Sequence, residues 1–121
     1  MRALMMGFAL VLLATGAEAA PNCWVPRFRT LYGQTVDAFM TVKSGRRCSI
    51  VMRTSRGATT SAAIVTRPAH GEAHVEGPHR VVYRPRLGFS GTDTFTYARR
   101  GTDTRNNAVT RTVRVQVTVT P

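Results

Sequence analysis

Five side chains able to bind protons or metal ions fall within one short stretch: His70, Glu72, His74, Glu76 and His79. On a strand, residues two apart share a face, so imidazole and carboxylate groups could be presented together as a weak metal site. The distances oppose anything tighter. His70 and His74 would stand about 13 Å apart at about 3.3 Å per residue, so the strand alone closes no tetrahedral site. His79 reaches His74 and Glu76 only if the turn aligns them, and an exposed polar face beside a hairpin is the expected reading. The same spacing puts Glu72 and Glu76 about 13 Å apart, beyond the roughly 5 to 9.5 Å that paired glycosidase carboxylates need. The run Gly88-Phe89-Ser90-Gly91-Thr92 is superficially like a nucleophile elbow, but it lacks the second glycine in the right place and leads into a strand instead of a helix. No Ser-His-Asp or Cys-His set accompanies it. Calcium would need six to eight oxygens. Asp37, Glu72, Glu76, Asp93 and Asp103 have no D-x-D or EF-hand spacing. These residues imply no enzyme, no metal and no cofactor.

Charge is the feature that asks for a functional account. The 121 residues carry 17 Lys+Arg against 6 Asp+Glu, a formal net charge of +11, and Lys43 is the single lysine among them. Guanidinium groups grip phosphate, sulfate and carboxylate bidentately, which an ammonium cannot do. If the strands follow immunoglobulin order, one end of the fold gathers Arg53 and Arg56 with Arg99, Arg100 and Arg105 from two neighbouring loops, and these five are the candidate anion-binding residues. The opposite end would gather Lys43, Arg46, Arg47, Arg67 and Arg86, so the sequence implies a broadly positive surface without choosing a face. An arginine-favouring codon bias, with charge kept for solubility, is the competing account.

Position in the cell follows from the first residues. Met1 and Arg2 precede an apolar run from Ala3 to Ala14, and Ala17-Glu18-Ala19 supplies the small-residue pair of a signal-peptidase site. The run is shorter than the roughly 20 residues a membrane-crossing helix needs. Residues 1–19 are therefore expected to be a cleaved signal peptide, with no transmembrane helix after processing; a cut after Ala20 would put Pro21 directly behind the scissile bond. Removing them takes one charge of each sign, Arg2 and Glu18, and leaves +11. The destination is periplasmic or secreted. An oxidising compartment lets Cys23 and Cys48 persist as a bridge, since their separation suits neither a redox C-x-x-C pair nor a zinc knuckle. Closing that loop is worth roughly 3 to 4 kcal/mol in the chain-entropy model and would pin the segment Asn22 to Gln34, which carries Trp24, the only tryptophan.

From Thr35 onward polar and apolar residues alternate, β-branched residues dominate and turn residues recur every eight to twelve positions. In the last strand Val109, Val113, Val115, Val117 and Val119 share one face, with Thr112, Arg114, Gln116 and Thr118 on the other. Phe95 and Tyr97 alternate with threonines, Val81 and Tyr83 with Arg80, Val82 and Arg84, and Ala73 and Val75 with Glu72, His74 and Glu76. Further strands fall at Ser61 to Thr66, Cys48 to Arg53 and Val36 to Val42. The fold class is all-β: a seven-stranded Ig-like antiparallel β-sandwich following the signal peptide. The organisation is residues 1–19 signal peptide, 20–35 a disulfide-tied extension, and 36–121 the sandwich.

The stretch Pro68-x-x-Gly71, then Val81-x-Tyr83-x-Pro85-x-x-Gly88-Phe89-x-Gly91-x-Asp93-x-Phe95-x-Tyr97, then the valine-rich final strand, resembles the bacterial Ig-like, cadherin-like domains found in tandem in large surface proteins and adhesins. The likeness covers about residues 36 to 120 and is most specific in its second half. It implies that Gly88 and Gly91 allow a tight connection, that Phe89 plugs the end of the core, and that Asp93 and Tyr97 form an acid-tyrosine corner. Those domains usually occur as acidic, calcium-associated copies. This chain is basic and carries a disulfide-tied extension, so calcium-rigidified adhesion does not carry over.

The expected function is an exported, non-enzymatic binding module holding an anionic envelope or extracellular polymer through arginines. Anionic polysaccharide, lipopolysaccharide phosphate or released DNA would serve; intracellular nucleic acid would not. The alternative is a structural or assembly subunit that docks another envelope protein by a sheet edge, with the final strand offering that edge. A third reading, a small metal-handling protein, would rest on His74 and His79.

Overall fold

In a computed structural model of the chain, residues 22–52 and 59–121 are described. The signal peptide expected at 1–19, and Arg53 and Arg56, lie outside the described residues. Eight strands run in chain order: β1 (Cys23–Trp24), β2 (Thr35–Lys43), β3 (Cys48–Val51), β4 (Thr59–Thr66), β5 (Gly71–Glu76), β6 (Arg80–Pro85), β7 (Gly91–Thr102) and β8 (Ala108–Thr120). They form a five-stranded sheet in the order β1-β2-β8-β7-β4 and a three-stranded sheet in the order β3-β6-β5. This is the expected all-β sandwich. The seven strands read from the alternation are β2 to β8, and β1 adds an eighth too short to show any period.

One pairing departs from an all-antiparallel arrangement. β2 runs parallel to β8, with Thr35 opposite Thr112 through to Lys43 opposite Thr120. β8 is consequently an interior strand, hydrogen-bonded by β2 on one side and β7 on the other, and it cannot offer the free edge expected of it. The free edges of the large sheet are β1 and β4.

The core follows from strand alternation, because side chains two apart point the same way. Ala38, Met40 and Val42 of β2, Phe95 and Tyr97 of β7, and Val113, Val115, Val117 and Val119 of β8 face Ile50 of β3 and Val81 and Tyr83 of β6. Phe89 packs against this core from one end, as expected. The turn between β6 and β7 needs Gly88 and Gly91, whose φ values of 79° and 133° lie where a side chain is strained.

Asp93 is buried at the start of β7, but its tyrosine is not Tyr97. Tyr83 Oη donates to Asp93 Oδ2 at 2.7 Å, and the amides of Ala69, His70 and Thr94 donate to the same carboxylate at 3.0, 3.0 and 2.9 Å. The expected partner is wrong because Tyr97 follows Asp93 on the same strand and same face, about 13 Å farther on. Tyr83 comes from the facing sheet.

The segment before β2 is tied down at both ends. Cys23 and Cys48 form the expected disulfide, with Cα atoms 5.1 Å apart. β1 pairs with β2, the Gly33 amide donates to Thr110 O at 2.9 Å, and Val25 and Phe28 pack against the core. Residues 25–32 thus form a strap across one end of the sandwich.

Candidate functional site

The arginines are distributed by strand geometry. β7 continues to Thr102 because its ladder with β8 runs on to the Thr102–Ala108 pair. Arg99 and Arg100 are therefore strand residues and not loop residues, and alternation sends them to opposite faces: Arg99 is buried and Arg100 is exposed. Arg105 is exposed in the turn after β7, where its amide donates to Asp103 Oδ1 at 2.8 Å. Among the three candidate arginines that are described, only Arg99 points inward.

A residue not singled out from the sequence completes the site. Arg111 of β8 stands directly opposite Arg99 of β7. The two residues are 2% and 8% exposed. The signal was present: Arg111 is in phase with Val109, Val113 and Val115, and alternation alone places it inside.

Around this pair lies a cleft of about 740 Å³ between the strap and the sandwich. The strap contributes Val25, Phe28, Arg27 and Arg29; Ile50 and Met52 line the side of the small sheet, and Tyr97 lies beside Arg99. Four arginines line the cleft and, among the described residues, no carboxylate does. The strap also orients the pair. Arg99 Nη2 donates to Thr30 Oγ1 at 3.4 Å, and the Arg111 guanidinium sits over the Tyr32 ring, 4.5 Å from its centroid, in cation–π contact. Burial, and then the like charge of Arg111, lower the Arg99 pKa below the ordinary arginine value. Burial pushes the Tyr97 hydroxyl well above the usual phenol range.

Asp37, Glu72 and Glu76 have partners away from the cleft. Arg114 Nε and Nη2 donate to Asp37 at 2.7 and 3.2 Å, a bidentate pair that holds this carboxyl below its usual range. Asp103 is lowered first by the Asn107 amide, with the charge of Arg111 contributing as well, and organises its own turn. Glu76 accepts from Arg47 at 2.7 Å and contacts His74 Nε2 at 3.0 Å, and the His74 hydrogen bond is the largest cause of its lowered pKa. Glu72 stands opposite Arg84 across the β5–β6 ladder.

The histidine cluster is dispersed by these partners. His70 stacks on Phe89, ring centroids 4.4 Å apart and planes within 6°, while His79 ends the turn before β6, where its carbonyl accepts from the Met52 amide. Among the described residues no group of three or more His, Cys, Asp or Glu is placed to hold a metal ion, and no helix is long and apolar enough to cross a membrane. A family model described as a bacterial Ig domain matches residues 33–118. No curated protein and no solved structure matches the chain.

Proposed function

The chain belongs to the bacterial Ig domain family, and from that membership we propose that it is an exported binding module holding an anionic cell-envelope or extracellular polymer through its arginines. Domains of this family are typically non-catalytic binding or structural modules, and a disulfide with an Ig-like fold fits an extracellular or envelope protein. The observation that carries the reading is the Arg99–Arg111 pair in a cleft that also bears Arg27 and Arg29 and whose described lining has no carboxylate. Charge pairs made where water is scarce are stronger than the same pairs in bulk solvent. The net charge of +11 would draw anionic polymers toward the surface from a Debye length away, and the paired guanidinium groups would hold a phosphate, sulfate or carboxylate substituent bidentately.

Retention on immobilised dextran sulfate and on lipopolysaccharide tests this. Binding is expected at low salt and should fall steeply as ionic strength passes about 0.15 M. R111Q should weaken it more than R100Q or R105Q. Retention that ignores salt, or equal effects of all three substitutions, would overturn the reading.

A second reading is favoured by the β4 edge. This eight-residue strand carries no charge and no proline, the usual guards of an open edge, and Val65 on it is 61% exposed. A structural subunit would add a partner's strand there by backbone pairing. Capture of an envelope protein that survives high salt and is lost with V65P would favour this reading over the first.

A further inference from the structure

We propose that the end of the sandwich opposite the cleft docks on the surface of an anionic phospholipid bilayer, with Leu87 entering the lipid while Lys43, Arg46, Arg67 and Arg86 meet the headgroup phosphates. The proposal uses no residue of the cleft and is independent of the function read from it. Three turns meet at this end: residues 43–46 between β2 and β3, 67–70 between β4 and β5, and 86–90 between β6 and β7. Ser44 Oγ donates to the Phe89 carbonyl at 3.0 Å, the Arg86 amide donates to the His70 carbonyl at 2.8 Å, and the His70 ring stacks on Phe89. Lys43, Arg46, Arg67 and Arg86 are all exposed on these turns. Among the described residues no carboxylate is paired with any of the four. Glu76 accepts from Arg47, Glu72 stands opposite Arg84, and Asp93 is buried and bonded to Tyr83.

Leu87 is 84% exposed, more than any other large apolar side chain among the described residues. A lone exposed leucine is ordinary on a protein surface. This one is held out by its backbone. The Phe89 amide donates to the Arg86 carbonyl at 3.0 Å and Gly88 has a φ of 79°, the hydrogen bond and the positive-φ third residue of a type II turn. Phe89, on the far side of that turn, packs against the core, which leaves Leu87 at the outer corner. A fixed apolar tip flanked by cations meets the two demands of a bilayer surface, apolar area to bury among acyl chains and positive charge for anionic headgroups. Arginine suits the second demand, because its stem can lie along an apolar boundary while the guanidinium grips phosphate bidentately. A soluble polyanion would satisfy the four cations and leave Leu87 in water. A second copy of the chain, at a net charge of +11, would bring like charges together.

Sedimentation of the full disulfide-bonded chain with vesicles of phosphatidylcholine, and with vesicles of phosphatidylcholine and phosphatidylglycerol in equal parts, tests the proposal. Binding is expected to the anionic vesicles alone and should weaken as salt rises. L87N should weaken it roughly tenfold, the loss of one leucine side chain from an apolar environment, and R46Q and R86Q about fivefold each. R80Q removes the same charge from the other end of β6 and should leave vesicle binding unchanged. All four positions are exposed, so the substitutions disturb no core contact. Insertion itself is read by L87W in a W24F background, whose emission should shift to the blue on anionic vesicles. Equal binding to the neutral vesicles, or an unshifted L87W emission, overturns the proposal. Binding weakened by R46Q and R86Q but not by L87N overturns it as well, and marks this end as a charge patch for a soluble polyanion.

Discussion

Tyr83 Oη and Asp93 Oδ2, 2.7 Å apart, join the two sheets through the core, β6 on one side and β7 on the other. The Tyr83 ring also stacks on Phe95, with centroids 5.6 Å apart. Removing the hydroxyl by Y83F should cost about 1.5 to 3 kcal/mol, the range for a hydrogen bond to a charged group. D93A should cost more, since the amides of Ala69 and His70 lose their acceptor together. Urea unfolding of the two variants checks the order; Y83F at wild-type stability would mean that the bond contributes nothing net.

Alkaline stability follows from the same tyrosine. Burial first, and then the Asp93 hydrogen bond, hold the Tyr83 proton well above the ordinary phenol range, and burial does the same for Tyr97. A raised pKa in the folded state means that the unfolded chain releases these protons first. Their contribution is complete below pH 10 and declines as pH climbs past it. Phenolate absorbance from Tyr83 and Tyr97 should therefore rise together with loss of the fold in a pH titration, and Y83F should flatten the stability profile above pH 10.

Reduction of the Cys23–Cys48 bond should lower stability by about 2 to 5 kcal/mol. It should also release the strap, because β1 and the bridge hold the end that enters the cleft. Thermal unfolding with and without reductant, and with C23S/C48S, measures the first effect. Loss of dextran sulfate retention in the reduced, still folded chain measures the second.

Gly71 opens β5 where the backbone passes closest to Tyr83. A Cβ there would collide with the Arg84 carbonyl and lie 2.9 Å from both the ring edge and the hydroxyl of Tyr83. G71A should destabilise by more than about 2 kcal/mol, since neither a paired carbonyl nor a fully buried ring can move aside. G77A, where nothing lies within 4 Å but φ is 58°, should cost only about 1 to 2 kcal/mol from backbone strain. Chemical denaturation of the pair discriminates contact from conformation.

Alternation carried the strand positions because burial of one face leaves a two-residue period. It spelled out β8 from Val109 to Val119 and the inward set Phe95 and Tyr97. Period says which face a side chain takes and nothing about which strand lies alongside, so the parallel neighbour β2 and the interior place of β8 were not legible. Asp93 was recognised as a corner acid, but its tyrosine was sought in the local sequence when it stands ten residues earlier on the facing sheet. Arg99 was legible as an anion-binding candidate but was placed in a loop, and Arg111 was hidden by its chemistry. A guanidinium at an inward position reads as solvent-facing until a cleft with polar and aromatic partners is seen beneath the strap. The family match over residues 33–118 spans the glycine, aromatic and acid positions on which the likeness rested.

The parallel β2–β8 pairing also sets the order of assembly. Thr35 waits for Thr112 and Asp37 for Arg114, so the large sheet has no middle until residues 108–120 have left the ribosome. A nascent chain stopped short of them holds β7 and β2 with no common neighbour, so closure is a late, long-range event. Without β8 the large sheet lacks its central strand, and β2 and β7 each lose the neighbour that joins them.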